Sequence, residues 1–376
     1  MNKTRCAAGL VAMAIMSACS AGDPPPIENL QLPPGFSVSL FAQVENARQM
    51  ALGDDGVVYV GSRRAGKVHA VLDTDNDYRA DRVVLIAKDL ELPSGIAYHD
   101  GDLFVGAVST IYRFPAIAET RRKRPTPELV TSNLPTEQHH GWKYLKFGPD
   151  GLLYVPVGAP CNVCESDMPF ATILRMDVDT PDQIEIVAYG VRNSVGFDWD
   201  PATGDLWFTD NGRDMLGDEL PPCELNHVSE VGQHFGYPYF HGNGIADPDF
   251  GRKGDRVGSY REPALALGPH VAPLGMTFYE GDAFPEAYRG NIVLAEHGSW
   301  NRTPEAGPIG YRLIHARRDE QGLHYDVFVD GWLNEDGTSW GRPADVLELP
   351  DGSLLVADDK AGAIYRITYG AGVAQR

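Results

Sequence analysis

The chain has 376 residues and a formal net charge of −20, with 22% charged and 43% hydrophobic residues. The hydrophobic share is that of a globular protein, whereas the negative charge disfavours nucleic acid and anionic membranes as partners because both would repel it. The 41 glycines and 28 prolines favour many short strands joined by turns.

Residues 1–18 are predicted to be a lipoprotein-type signal peptide. Two basic residues precede an apolar run that is too short to span a membrane, and the sequence then reads MSAC, which resembles a bacterial lipoprotein cleavage box. Cys19 would carry the lipid, and residues 19–34 would form a proline-rich tether. Methionine is unusual at the first position of such a box, so secretion without a lipid is the alternative. In both cases we expect an exported, periplasmic protein with no other membrane contact.

Residues 35–370 contain six segments that share one pattern: an apolar strand, a turn rich in glycine and proline, and further apolar strands. The segments are residues 50–71, 94–114, 139–176, 194–228, 275–315 and 344–367. Repeats of about 40 to 50 residues made only of strands are typical of propeller blades. We therefore predict an all-β fold, a six-bladed β-propeller. The extra length at 213–270 is predicted to form inter-blade loops on one face, where ligands bind.

An acidic loop follows the third strand of the first repeat. Its carboxylates Asp73, Asp75 and Asp77 occupy positions one, three and five of a calcium-loop pattern, and Asp81 occupies position nine. Glycine is missing from position six and glutamate from position twelve. The sequence therefore leaves open whether this loop binds calcium or is only an acidic connection between strands.

The cysteines agree with export. Cys161 and Cys164 could bind a metal, but a zinc site would need a second pair, which the sequence lacks. A disulfide that pins a loop is the prediction for an exported protein, and Cys223 is left as the odd cysteine that could compete for either partner.

Seven arginines precede or follow the repeated strands. They are Arg48, Arg63, Arg64, Arg192, Arg213, Arg302 and Arg342. Propellers bind ligands on the loops at one end of the central channel, so arginines at equivalent places in different repeats should converge there. Because such convergence is costly unless an anion is bound, the pattern predicts a polycarboxylate ligand, which the arginine fork pairs bidentately.

Two adjacent histidines, His139 and His140, precede the third repeat and do not recur in the others. Imidazole has an unperturbed pKa of about 6.5, which makes it a usable base at neutral pH. His140 is the preferred candidate and His139 the alternative.

Several runs together resemble the soluble PQQ-dependent aldose dehydrogenases, the glucose, sorbosone and pyranose dehydrogenase family. They are YGVRNS at 189–194, DNGRD at 210–214, HGWKYLKFGPD at 140–150, GAPCNVCE at 158–165 and HGSWNR at 297–302. The similarity extends over residues 33–370, and the sorbosone and pyranose branch is the most alike. It implies PQQ and Ca²⁺ as cofactors and His140 as the general base.

The resemblance also implies roles for the residues around the cofactor. Arg192 and Asn193 would contact the quinone and its carboxylate, and the backbone carbonyls of Gly212 and Arg213 would hold calcium. The remaining cofactor-binding candidates are Arg48, Arg342, Trp300 and Arg302. Trp300 and Arg302 lie near the place of a lysine in the best-known branch, which leaves their role open.

The sequence thus predicts oxidation of an aldose or a related sugar or aldehyde, with hydride transfer to PQQ. Electrons would pass to an external cytochrome or quinone, since Glu165 stands where a haem-attachment motif needs histidine. The alternatives are a calcium-dependent lactonase, which would hold its metal with several side-chain carboxylates, and a non-catalytic propeller binding module.

Overall fold

The computed structural model describes residues 24–370, so the signal peptide and Cys19 lie outside the described part of the chain. Six sheets of at least four antiparallel strands, one of them extended by a fifth strand, are arranged as the blades of a β-propeller, which confirms the predicted fold. Within residues 24–370, no helix is long and apolar enough to cross a membrane.

The first three blades follow one another in the sequence after the N-terminal strand. The N-terminal strand is β1 (Phe36–Gln43). Blade one consists of β2 (Ala47–Leu52), β3 (Val58–Ser62), β4 (Val68–Leu72) and β5 (Arg82–Ala87). Blade two consists of β6 (Gly95–His99), β7 (Asp102–Gly106), β8 (Ile111–Phe114) and β9 (Glu128–Thr131), and blade three contains β10 (Lys146–Phe147), β11 (Leu153–Val157), β12 (Thr172–Met176) and β13 (Ile184–Tyr189).

Blade four contains the insertion, and blades five and six follow it. The strands are β14 (Phe197–Trp199), β15 (Leu206–Asp210), β16 (Pro222–Val228), β17 (Gln233–His234), β18 (Phe240–His241), β19 (Ile245–Ala246), β20 (Leu265–Pro269), β21 (Pro273–Phe278), β22 (Ile292–Glu296), β23 (Arg312–Asp319), β24 (Gly322–Val329), β25 (Pro343–Glu348), β26 (Leu354–Asp358) and β27 (Ala363–Tyr369). Blade four is β14, β15, β16 and β20, blade five is β21 to β24, and blade six is β25, β26, β27 and β1.

The region 213–270 is only partly loop. β16 and β20 within it are the third and fourth strands of blade four, and β17 adds a parallel fifth strand to blade three. The rest contains the hairpin β18–β19 and a 3-10 helix, Gly251–Val257, which are joined by loops. The other helices are short: α1 (Ile117–Thr120) and 3-10 turns at Ile27–Asn29, Arg121–Lys123 and Glu286–Tyr288.

The N-terminal strand closes the ring. β1 pairs antiparallel with β27 from Phe36↔Tyr369 to Gln43↔Ala363, so the outermost strand of the last blade comes from the start of the domain. A ring closed in this way joins the two ends of the chain by backbone hydrogen bonds and leaves no gap between blades six and one.

The second strand of every blade is buried over its whole length. β3, β7, β11, β15, β22 and β26 each have five buried residues. They are the continuous apolar runs of the six repeats, as expected for strands covered on both faces by neighbouring blades. Apolar clusters fill the space between blades, such as the one that joins Tyr59 of blade one to Ile96 and Leu103 of blade two.

The first strands lie around the axis, where β2 contacts both β6 and β25. In an antiparallel blade, the start of the first strand and the end of the second strand meet at the same end of the sheet. Residues just before the first strands and just after the second strands are therefore brought to one mouth of the central channel.

Candidate functional site

A cavity of about 580 Å³ lies at this mouth. Its lining includes Arg48, Arg63, Arg64, His139, His140, Trp142, Arg192, Asn193, Asn211, Gly212, Asp214, Cys223, His270, His297, Trp300, Asn301 and Arg342. Nearly all precede a first strand or follow a second strand, so the placement rule expected from the repeats holds in all blades but the second.

Among the described residues, five arginines line the cavity, whereas Asp214 is the only carboxylate there. Arg48 pairs with Asp359 at 3.0 Å and Arg192 pairs with Asp214 at 3.0 Å. Within residues 24–370, Arg63, Arg64 and Arg342 have no carboxylate within ion-pair distance. The cavity of this strongly acidic protein thus contains three guanidinium groups that have no carboxylate partner among the described residues.

Arg63 shows this imbalance most clearly. Its guanidinium lies 3.7 Å from the ring centre of Trp142, and its Nε is buried without a hydrogen-bond partner among the described residues. Burial, followed by repulsion from Arg48 and Arg64, lowers the pKa of Arg63 to about 10. The loop is held by Asn46, whose Oδ1 accepts the backbone N–H groups of Arg63 and Arg64. The field at this arginine therefore favours an anion.

Arg342 and His297 also line the cavity. The Arg342 guanidinium donates to the carbonyls of His297, at 2.9 Å, and of Gly298, which fix its direction without neutralising it. His297 Nε2 lies 2.8 Å from Asp359, the carboxylate that also holds Arg48. Burial lowers the pKa of His297 to about 4, so this imidazole is neutral at physiological pH.

His140 is buried at the cavity and has a defined tautomer. Its Nδ1 lies 2.9 Å from the carbonyl of Ala159, which can only accept, so Nδ1 carries the proton and Nε2 keeps its lone pair. A side chain on Gly158 would approach His140 Cβ to 2.6 Å, so this contact requires glycine. Burial, then the positive charge of Arg192, lowers the pKa of His140 well below its usual value. A neutral imidazole with a free Nε2 can accept a proton.

His139 is exposed, and its ring centre lies 4.1 Å from that of His140. Burial and Arg192 lower its pKa as well, and the structure describes no hydrogen bond that would orient its ring. The two histidines therefore differ in that only His140 has a fixed direction.

Arg192 and Asn193 lie before β14, in a turn held by Asp210 at the end of β15. The two oxygens of Asp210 accept the backbone N–H groups of Arg192 at 2.7 Å and Asn193 at 2.6 Å. The Arg192 side chain is directed by carbonyl and carboxylate oxygens around it. The Asn193 amide side chain lines the cavity and has no hydrogen-bond partner among the described residues.

Oxygen atoms gather at the side of the cavity near Gly212. Asp214 accepts from Asn301 Nδ2, whose other amide atom, Oδ1, is buried without a partner among the described residues. A buried oxygen without a donor, a carboxylate and a glycine backbone suit a hard cation such as calcium. This group was only partly anticipated, since Asn301 was not recognised from the sequence.

The structure separates some of the candidate residues from the cavity. The side chain of Arg213 turns away and forms a buried ion pair with Asp247, which also accepts from His241. Arg302 donates to the backbone of Asp218 and Gly307, outside the cavity lining. Trp300 lines the cavity but is 69% exposed, at its rim.

The acidic loop lies apart from the cavity. Oxygens of Asp73, Asp75 and Asp81 come within 4.8 Å of one another, whereas Asp77 accepts the backbone N–H of Arg79 and does not join them. Calcium binding by this loop stays a prediction. Cys161 and Cys164 form the predicted disulfide, and Cys223 is buried and free.

Residues that the sequence did not single out contribute much of the site. Trp142, Asn162, Asn211, Asp214, Asn301 and Asp359 line the cavity or hold its arginines. Most of them follow the same placement rule as the arginines. Arginines and histidines are the residue types that a bound polycarboxylate and a base make informative in the sequence, whereas carboxylates and amides that hold the arginines have no such signal.

A family model described as glucose/sorbosone dehydrogenase matches residues 118–297. An uncharacterized protein of Borreliella burgdorferi is 35% identical over 355 residues, covering 90% of this chain and 91% of that protein. The pyrroloquinoline quinone-dependent pyranose dehydrogenase of Coprinopsis cinerea is 24% identical over 349 residues, which cover 78% of this chain and 45% of that enzyme. The solved holo form of that enzyme's PQQ domain superposes with a TM-score of 0.74 at 19% identity, covering 90% of this chain and 97% of the domain.

Proposed function

The chain belongs to the glucose/sorbosone dehydrogenase family, and on that premise we propose that it is a PQQ- and calcium-dependent dehydrogenase of an aldose or a related sugar or aldehyde. The similar pyranose dehydrogenase is named for PQQ, and its solved domain shares the propeller fold. The observation that carries the proposal is the excess of arginine over carboxylate at the channel mouth.

PQQ carries three carboxylates, and three arginines of the cavity lack a carboxylate partner. Arg63, Arg64 and Arg342 would hold these carboxylates, while Arg48 and Arg192, which line the same cavity, would add positive potential. Arg63 and Arg342 are half-buried and Arg64 is exposed. Partly desolvated guanidinium groups that repel one another and have no counter-ion are unfavourable in the empty protein, and an anion that binds them removes this cost. The orphaned Nε of Arg63 is the clearest sign of this fit.

Calcium would bind among the oxygens beside Gly212. We propose Asn193, Asp214 and Asn301 as side-chain ligands in addition to the predicted backbone carbonyls of Gly212 and Arg213. Bound PQQ would supply the acceptor for hydride, and calcium a positive charge beside it. The protein's own residues would orient these groups and accept the hydroxyl proton of the substrate.

His140 would remove the hydroxyl proton of the sugar. Its Nδ1–H is committed to the Ala159 carbonyl, which leaves Nε2 as the accepting atom. Because the pKa of His140 is lowered below its usual range, the base is unprotonated at neutral pH, when substrate arrives. The nearby positive charge of Arg192 would help return the proton to solvent after each turnover.

The remaining features of the proposal concern the protein's surroundings. Electrons would pass to an external cytochrome or quinone, and export would follow from the N-terminal signal, with Cys19 as the lipid-bearing residue. A lactonase is disfavoured because several metal-binding carboxylates would be expected, and Asp214 is the single carboxylate of the described lining.

The test is reconstitution of the purified protein. Trp142 lies in the cavity, so PQQ titrated with calcium into apo-protein should quench its fluorescence saturably. Aldoses should then reduce an artificial dye only when PQQ and calcium are both present. An Arg63→Met variant should bind PQQ more weakly, whereas Arg122→Met, which removes the same charge from the exposed surface, should not. Lack of saturable binding to the wild-type protein would refute the proposal.

A further inference from the structure

Asn162 forms hydrogen bonds with Arg192, one of the five arginines of the cavity lining, and with Asp214, its ion-pair partner. Its carbonyl accepts from Arg192 Nε at 2.9 Å, and its Oδ1 accepts from Arg192 Nη2 at 2.9 Å. The same Oδ1 accepts the backbone N–H of Asp214 at 2.9 Å, and its Nδ2 donates to the Asp214 carbonyl at 3.1 Å. Asn162 therefore positions both members of the Arg192–Asp214 ion pair.

The loop that presents Asn162 is fixed from both sides. The disulfide between Cys161 and Cys164 closes it around Asn162 and Val163. The Tyr237 hydroxyl accepts the backbone N–H of Cys164 at 3.0 Å and lies 3.5 Å from Cys161 Sγ. Val163 packs against the small cluster that contains Tyr237. The Asn162 carbonyl can hold Arg192 Nε only while this loop keeps its shape.

We propose that Asn162 and the Cys161–Cys164 disulfide are a positioning device for Arg192, so that cofactor affinity depends on the oxidation state of the cysteine pair. The proposal rests on the function proposed above. Of the four hydrogen bonds from the Arg192 guanidinium, two go to Asn162 and one to Asp214, which Asn162 holds. The fourth goes to the carbonyl of Asn211. Opening the loop would therefore weaken three of the four hydrogen bonds that hold the Arg192 guanidinium.

The switching step is a thiol–disulfide exchange. A dithiol reductant transfers two electrons and two protons, the bond between the two sulfur atoms breaks, Cys161 and Cys164 become thiols, and the reductant becomes a cyclic disulfide. The freed loop regains conformational entropy, so Arg192 is no longer held in one direction. A protein that folds before oxidation would therefore bind the cofactor weakly and hold it firmly once the disulfide has formed.

The experiment compares PQQ dissociation constants, measured by fluorescence quenching with calcium, in four proteins. They are the wild type, Cys161→Ser/Cys164→Ser, Arg192→Ala and the variant that combines all three changes. We expect the double-serine variant to bind about tenfold more weakly, the size of one lost charge-assisted hydrogen bond. The combined variant should bind PQQ no more weakly than Arg192→Ala alone. If the disulfide loop affects PQQ binding only by orienting Arg192, its loss has no effect once the guanidinium is absent.

Two controls separate positioning from a general loss of structure. Asn162→Ala keeps the disulfide and should still weaken PQQ binding, whereas Asn133→Ala, which removes an exposed amide contact to Asp182, should not. A dithiol should weaken binding by the wild type reversibly and leave the double-serine variant unchanged.

The outcomes are distinct. Failure of the wild type to bind PQQ would refute the proposed function and this inference with it. Normal binding by the wild type together with normal binding by the double-serine variant would overturn only the inference. Full additivity of the serine and Arg192→Ala changes would also overturn it, since the disulfide would then act elsewhere.

Discussion

Replacement of His140 by asparagine tests the proposed base with little disturbance of the fold. The asparagine amide can still donate to the Ala159 carbonyl, and asparagine tolerates the positive φ of 52° found at this position. The change removes only the accepting Nε2. A positioned general base contributes about 10²- to 10⁴-fold, so we expect kcat to fall by that factor while the Kd for PQQ changes less than about twofold.

The assay is steady-state dye reduction at saturating PQQ and calcium, with Kd measured separately by fluorescence quenching. A base acts only when unprotonated, so the wild-type rate should fall as pH drops through the pKa of His140. Since burial and Arg192 lower that pKa, the fall should lie below pH 6.5. The His140→Asn variant should lose this limb of the profile.

His139→Asn is the matched control, because it removes an exposed imidazole whose ring centre lies 4.1 Å from that of His140. We expect little change in its rate. If His139→Asn lost activity and His140→Asn kept it, the base would be His139. If both variants kept normal rates and normal pH profiles, the reasoning from the His140 tautomer would be refuted.

Three further predictions concern other parts of the molecule. Arg63→Met should stabilise the apo-protein by about 1 kcal/mol while weakening PQQ binding about tenfold or more, because an unpaired buried charge is lost; chemical denaturation and titration measure the two effects. Burial raises the pKa of Asp345 to about 7 against an ordinary 3.8, so the unfolded state releases this proton first and wild-type stability declines from about pH 4 to pH 7. In Asp345→Asn, Oδ1 can still accept from the Met50 N–H, and Nδ2 can donate to the Tyr144 hydroxyl oxygen. This variant should therefore gain up to about 4 kcal/mol of unfolding free energy over the wild type above pH 7. An equal difference between variant and wild type at pH 5 and pH 8, measured by urea unfolding, would contradict this. Chelation of calcium should abolish dye reduction, and added calcium should restore it; activity that survives exhaustive chelation would remove calcium from the proposal.

Much of this site could be located from the sequence because propeller repeats make position along the chain equivalent to position around the axis. The six apolar runs are the six fully buried strands, and residues that flank them in every blade but the second line one channel mouth. The convergence of Arg48, Arg63, Arg192 and Arg342 follows from backbone periodicity alone. The closure of the ring by β1 did not follow, since its partner β27 lies more than 300 residues away along the chain.

The sequence by itself determined the fold, the end of the channel that carries the site and the residue types that meet there. Only the tertiary structure decided the direction of each long side chain. Arg213 and Arg342 occupy comparable positions beside strands, yet Arg213 turns to the buried Asp247 and Arg342 lines the cavity. An arginine is directed by the acceptors that distant loops place around it, and strand periodicity contains no information about those acceptors. For the same reason, the role of Asn162 became apparent only when the disulfide loop and Arg192 were seen together.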